Sequence, residues 1–280
     1  NIMDLYYNED FKMIRMIKIE LKKAFLNKWF LVAVTFGCMI AILQIIQDVV
    51  PMVKYTSSCI SRNLPPHTLY NKWLGINSTL WNTVFFIIFP LLASIPFADS
   101  FHTDLKSGYV KNILTRTSKK NYYFSKYIAV FFSAGTTVVI PLILNLYLTA
   151  MILPTITPSV SAGFYPILET ATLSHIYYSK PALYIIIYLC IIFMVSGVLA
   201  STALAFSHFI KYRYVITLIP YLCYLLVSFE SMFFSNASIK IDAWVNPCSN
   251  VPLDLRIVIL EVIILVLGTL LVYWFTGKKK

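Results

Sequence analysis

Charge is scarce in this sequence. Asp, Glu, Lys and Arg make up 12% of its 280 residues, roughly half the share of an ordinary soluble domain. With 59% hydrophobic residues, too little polar side chain remains to coat a globule in water. Glycine is sparse, at eight residues, and no G-x-x-x-x-G-K-[ST] occurs, so the chain has no phosphate-cradling loop of that kind. The four histidines, His67, His102, His175 and His208, are scattered, without H-E-x-x-H or G-x-S-x-G, and an enzyme is not expected. The five cysteines form no C-x-x-C pair and no metal-ligand spacing.

What the sequence has in abundance is long apolar runs. A helix needs about 20 apolar residues to cross about 30 Å of hydrocarbon. Six stretches reach that length: 29–47, 80–98, 127–153, 182–206, 214–234 and 255–275. Barrel strands would give short alternating segments instead. The expected fold is therefore all-α: a polytopic membrane protein of six transmembrane helices. Its domains are a cytoplasmic tail and amphipathic interfacial helix (1–28), the transmembrane domain (29–275) and a basic cytoplasmic tail (276–280).

The formal net charge of +11 is placed at the ends of apolar runs, which argues for topology rather than for nucleic-acid binding. Residues 1–28 and 99–126 carry six Lys and Arg each, whereas the segment 154–181 carries one. Summed over alternate segments, the 1–28 side carries 17 of the 23 and the other side six. The richer side faces the cytoplasm. Both termini are accordingly expected inside, in a cytoplasmic membrane of bacterial type. Trp29, Trp274 and Trp81 fall at helix ends, and Trp73 and Trp244 in outer segments, where an indole meets the headgroups.

Before the first run, residues 11–28 have helical periodicity. Ile14, Ile17, Leu21 and Ala24/Phe25 share one face, while Lys12, Arg15, Lys18 and Lys22 follow another. Such a helix lies in the headgroup plane and attracts anionic lipid. Asn1 to Asp10 is more acidic and unpatterned, and reads as an extension, with Met13 or Met16 as alternative starts. Prolines 90, 96, 141 and 220 fall inside the apolar runs, as is common in membrane helices.

The connection 99–126 is long for a bundle turn. A short helix is expected over 103–114, broken at Gly108, with Ser118 capping the helix that follows. Read by spacing alone, this is either an element that docks into a cytosolic partner or a basic loop that only fixes topology.

Two stretches carry a further signal: I-K-I-E-L-K-K-A-F-L-N-K-W-F over 17–30, and D-L-K-S-G-Y-V-K-N-I-L-T-R-T-S-K-K-N-Y-Y-F-S-K over 104–126. Together they resemble the permease subunit of an ABC-2 type (type V exporter-like) ATP-binding-cassette transporter. The matching positions are Asp104, Gly108, residues 113–116, Lys119/Lys120, Tyr122/Tyr123 and Lys126. The pattern departs at Thr117, where proline is common, and at Lys120, where arginine is usual. The resemblance implies a permease that moves an amphipathic or apolar substrate, such as a peptide, antibiotic or lipid. Its partners would be a nucleotide-binding ATPase subunit and a second copy of itself or a related permease. ATP and Mg would bind that ATPase, with no cofactor on this chain. The elbow residues Asp104, Leu105, Lys106, Gly108, Tyr109, Lys111 and Arg116 would couple the two. The alternative is a stand-alone carrier or a resistance or immunity protein without an ATPase.

Two carboxylates lie within the spans, Glu230 and Glu261, about 6 Å and about 9 Å from the outer helix ends at 1.5 Å per residue. They line a translocation path that favours cationic groups, or tie the last helix through Arg256, or simply reach the outer interface. Cys59 and Cys248 fall in outer segments, where a disulfide and two separate thiols are both chemically open.

Overall fold

The structure is a computed structural model that describes residues 2–61, 66–76, 79–158, 167–168, 171, 173–210, 212–230, 245–246 and 255–278. In 2–11, 60–61, 230, 255, 257–258 and 275–278 it describes the backbone alone. Among the described residues the chain is all helical, with no strand. The helices are α1 (Ile2–Phe25), α2 (Lys28–Gln44), α3 (Met52–Ser61), α4 (Leu69–Lys72), α5 (Leu80–Ser94) and α6 (Ser100–Lys106). Then follow α7 (Tyr109–Leu114), α8 (Lys119–Ile152), α9 (Ser174–Ser179), α10 (Pro181–Phe206), α11 (Arg213–Glu230) and α12 (Leu255–Lys278).

Three stretches are long and apolar enough to cross a membrane: Lys28–Val49, Lys119–Ile152 and Pro181–Phe206. The first joins α2 to a π-helical turn, Ile45–Val49. Three shorter apolar helices accompany them, at Leu80–Ser94, Arg213–Phe229 and Ile259–Trp274.

Helix ends differ from the sequence expectation for local reasons. The run 80–98 forms a helix only to Ser94. Pro96 follows within two residues, and proline has no N–H to donate to the ladder. The Pro96 carbonyl accepts instead from Asn27 Nδ2 at 2.6 Å. Asn27 also caps α2, its Oδ1 accepting from Trp29 N at 3.2 Å, so the amphipathic helix and the first long helix are separate elements. Conversely, α8 begins eight residues before the expected 127, at Lys119. Ser118 is extended and its Oγ accepts from Asn121 N at 3.4 Å, so the cap sits at the end of the elbow itself. At 34 residues, α8 is about 51 Å long and overhangs any 30 Å layer.

Around α8 pack α1, α2 and α10. Small residues allow the close approaches. A Cβ on Gly37 of α2 would lie 2.6 Å from Pro141 Cγ of α8. Between α8 and α10 the contact is reciprocal: the Phe193 ring covers Gly135 and the Phe131 ring covers Gly197. Those two rings also meet edge to face, centroids 6.0 Å apart.

The end of the bundle away from the elbow holds an inserted segment, 69–76. Sequence placed Trp73 at a wet interface, but here it is fully buried. Its Nε1 donates to the Leu142 carbonyl at 3.1 Å. Asn145 of α8 anchors the same insertion: its Oδ1 accepts from Leu74 N at 2.9 Å, and its Nδ2 donates to Gln44 Oε1 at 2.8 Å and to the Ala41 carbonyl at 3.1 Å. Gln44 Nε2 donates to the Lys72 carbonyl at 3.0 Å, and Asn82 Nδ2 to the Leu74 carbonyl at 2.6 Å. A buried indole with its N–H satisfied loses nothing by leaving water.

Candidate functional site

The elbow is two helices, not one. Between α6 and α7, Gly108 adopts the left-handed conformation at φ 73°, a region that costs an L side chain about 1–2 kcal/mol. The bend turns the elbow back on itself, so its residues separate into two sets. Leu105, Lys106, Lys111 and Arg116 are exposed. Asp104 and Tyr109 face inward.

Asp104 faces a buried ion cluster. Lys126 on α8 is fully buried and donates to Asp104 Oδ2 at 2.6 Å and to Glu20 Oε2 at 2.7 Å. Tyr122, one turn earlier on the same face of α8, donates its hydroxyl to Asp104 Oδ2 at 2.9 Å. Glu20 on α1 is also fully buried, and its Oε1 accepts from Lys23 Nζ at 3.3 Å. Lys23 in turn stands 3.4 Å from the centroid of the Tyr109 ring. Two carboxylates thus meet two ammonium groups, with Phe97 closing over Lys126 at 4.6 Å. Isolated, each buried ion would cost several kcal/mol to desolvate; together each has a partner of opposite sign. Burial draws the Lys23 ammonium down, but Tyr109, Glu20 and Asp104 outweigh it and raise its pKa above the usual lysine range.

Three elements that are distant in sequence are therefore pinned at one point: α1 through Glu20, the elbow through Asp104, and the start of α8 through Lys126. On α1, Ala24 of the apolar stripe is buried and Ile17, Leu21 and Phe25 are half-buried, while Lys12, Arg15, Lys18 and Lys22 are exposed. Ile14 departs from the stripe, at 51% exposed, and Met16 and Glu20 are buried beside it.

Next to the cluster lies an aromatic layer. Phe101 of α6 is fully buried, with ring centroids 5.5 Å from Tyr123, 4.6 Å from His208 and 5.6 Å from Tyr273. It links the elbow to α8, to the turn after α10 and to α12. A second ion pair, Arg213 to Asp99, joins the start of α11 to the start of α6.

The other expected site residues are not drawn into this joint. Glu261 is half-buried in α12 and Arg256 is exposed near its start. Five residues apart on one helix, they are about 140° apart around its axis. The side chains of Glu230 and Cys248 lie outside the described residues, and Cys59 is a free thiol. Among the described residues no three His, Cys, Asp or Glu side chains are grouped to hold a metal ion.

No family model, curated protein or solved structure matches the chain.

Sequence reasoning missed Glu20, though the signal was present: it is the sole acid among six basic residues in 11–28. Tyr122 and Lys126, at i and i+4, stood in the motif but were not chosen as site residues.

Proposed function

We propose that this chain is the transmembrane permease subunit of an ATP-driven ABC exporter or flippase, moving an amphipathic or apolar substrate and powered by a separate ATPase subunit. In this reading the three long and three shorter apolar helices together make six crossings, with both termini and the elbow in the cytoplasm. α1 then lies along the inner headgroup zone.

The observation that carries the reading is the Glu20–Lys126–Asp104 joint. Asp104, Tyr122 and Lys126 are motif positions of the resemblance, and they converge on one cluster. Such a cluster gives the elbow a stiff attachment to the longest helix of the bundle. A push on the exposed face of Leu105, Lys106, Lys111 and Arg116 would travel through Asp104 into α8 without first bending a loop. An element whose outer face is free and whose inner face is ion-paired is suited to transmit force from a cytosolic engine. ATP and Mg belong to that engine, since this sequence has no P-loop.

The test is the composition of the complex isolated from native membranes in mild detergent. Two copies of this chain, or one with a related permease, are expected with two copies of a P-loop ATPase. A homogeneous particle with no ATPase, under conditions that preserve activity, overturns the proposal in favour of a stand-alone carrier or immunity protein.

A further inference from the structure

Between α1 and the elbow lies a cavity of about 440 Å³, within the size range of small-molecule sites. Lys12, Arg15, Met16 and Ile19 supply one wall at i, i+3, i+4 and i+7 of α1. Tyr109 and Ile113 of α7, with Arg116 and Thr117 just beyond it, supply the other. Among the described residues no carboxylate lines the cavity, and Lys12, Arg15 and Arg116 make none of the ion pairs. Among the described residues, three cations and two hydroxyl-bearing residues, Tyr109 and Thr117, thus surround a space whose other lining residues, Met16, Ile19 and Ile113, are apolar. The floor is fixed, because the Tyr109 ring is held by Lys23 and, through it, by buried Glu20.

The geometry points to a site for one anionic phospholipid, its phosphate held among Lys12, Arg15 and Arg116. A soluble phosphate would satisfy the cations but gain nothing from the apolar wall. A lipid uses both, because Met16, Ile19 and Ile113 line the cavity and Ile19 is 41% exposed. The lipid would bridge α1 and α7 and so brace the elbow from the side opposite Asp104. This inference needs the elbow at the headgroup level of a membrane but no ATPase partner.

The test uses the purified full chain in neutral detergent. Short-chain phosphatidylglycerol, short-chain phosphatidylcholine and inorganic phosphate are titrated separately, and bound molecules are counted by native mass spectrometry. One phosphatidylglycerol per chain is expected, with no comparable binding of phosphatidylcholine. At about fivefold per basic residue near a lipid surface, the Arg15→Gln/Arg116→Gln pair should weaken it about 25-fold. Lys106→Gln/Lys111→Gln, which removes two exposed charges elsewhere on the elbow, should change it less than twofold. Thr117→Glu places a negative charge at the rim and gives an independent loss if the arginine pair alters folding. Equal losses in the Lys106/Lys111 control would show diffuse attraction and overturn the site. Displacement of the lipid by equimolar inorganic phosphate would overturn the lipid as its occupant.

Discussion

The two ends of α8 solve the same problem with different chemistry. At each end an irregular element must be held against a long helix. Near Lys126 the element is the elbow, and charge holds it: two carboxylates, two ammonium groups and a phenol. Near Asn145 the element is the 69–76 insertion, and neutral amides hold it through Gln44, Asn82 and Asn145. Neutral groups lose less on burial than ions do, so the far end is cheap to keep closed. The ionic end is costly to disrupt singly. A bundle built this way is held by neutral amides at one end and by mutually dependent charges at the other.

Breaking the ionic end should have the largest effect. Lys126→Met removes the cation that Glu20 and Asp104 share, leaving them Lys23 and Tyr122 as partners, and is expected to destabilise the chain by about 3 kcal/mol, read as a fall in melting temperature in detergent. A melting temperature equal to that of the unaltered protein would mean the joint contributes no specificity or strength. At the far end, Asn145→Leu leaves the Leu74 N–H and the Gln44 Oε1 without the Asn145 partner, and about 2–3 kcal/mol is expected. This loss should be the same in low and high salt; a strong salt dependence would mean that charge, not neutral amides, holds that end. Gly108→Ala should cost about 1 kcal/mol from backbone strain alone, because nothing lies within 4 Å of the added carbon. If the cost is several times larger, the elbow bend is packed more tightly than the geometry indicates.

The smallest effect sharpens the electrostatics. Lys23 has its folded pKa raised, so the folded state holds that proton more tightly than the unfolded chain does. Its contribution is complete below the unfolded lysine value of about 10.4 and disappears as pH rises through the folded value. An alkaline melting series should therefore fall more steeply for the unaltered protein than for Lys23→Met. Parallel curves would remove Lys23 from the joint.

Much of the helical fold was legible because lipid solubility leaves a coarse mark. Runs such as 182–206 and 29–47 are long, apolar and uncharged, and correspond to α10 and to α2 with its π turn. Less legible were features set by tertiary contact. Trp73 looks like an interfacial indole, and only the carbonyl of Leu142, 69 residues away, explains its burial. The burial of Glu20 on α1 was also hidden, since periodicity ranks residues by polarity and cannot see that Glu20 has a buried cation waiting on another helix. Local signals did better: Gly108 as a break and Ser118 as a cap are readable because each acts within four residues. In the elbow, the sequence pattern does not tell which residues point inward.

The paired seats of Phe193 on Gly135 and Phe131 on Gly197 have a mechanical consequence. Each ring fills a notch that exists only where a side chain is missing, so sliding α8 along α10 by even one residue would drive both rings into occupied backbone. These two long helices are keyed together like a bolt in its slot. Any cycling of the molecule must carry them as a single beam, with the hinges placed elsewhere.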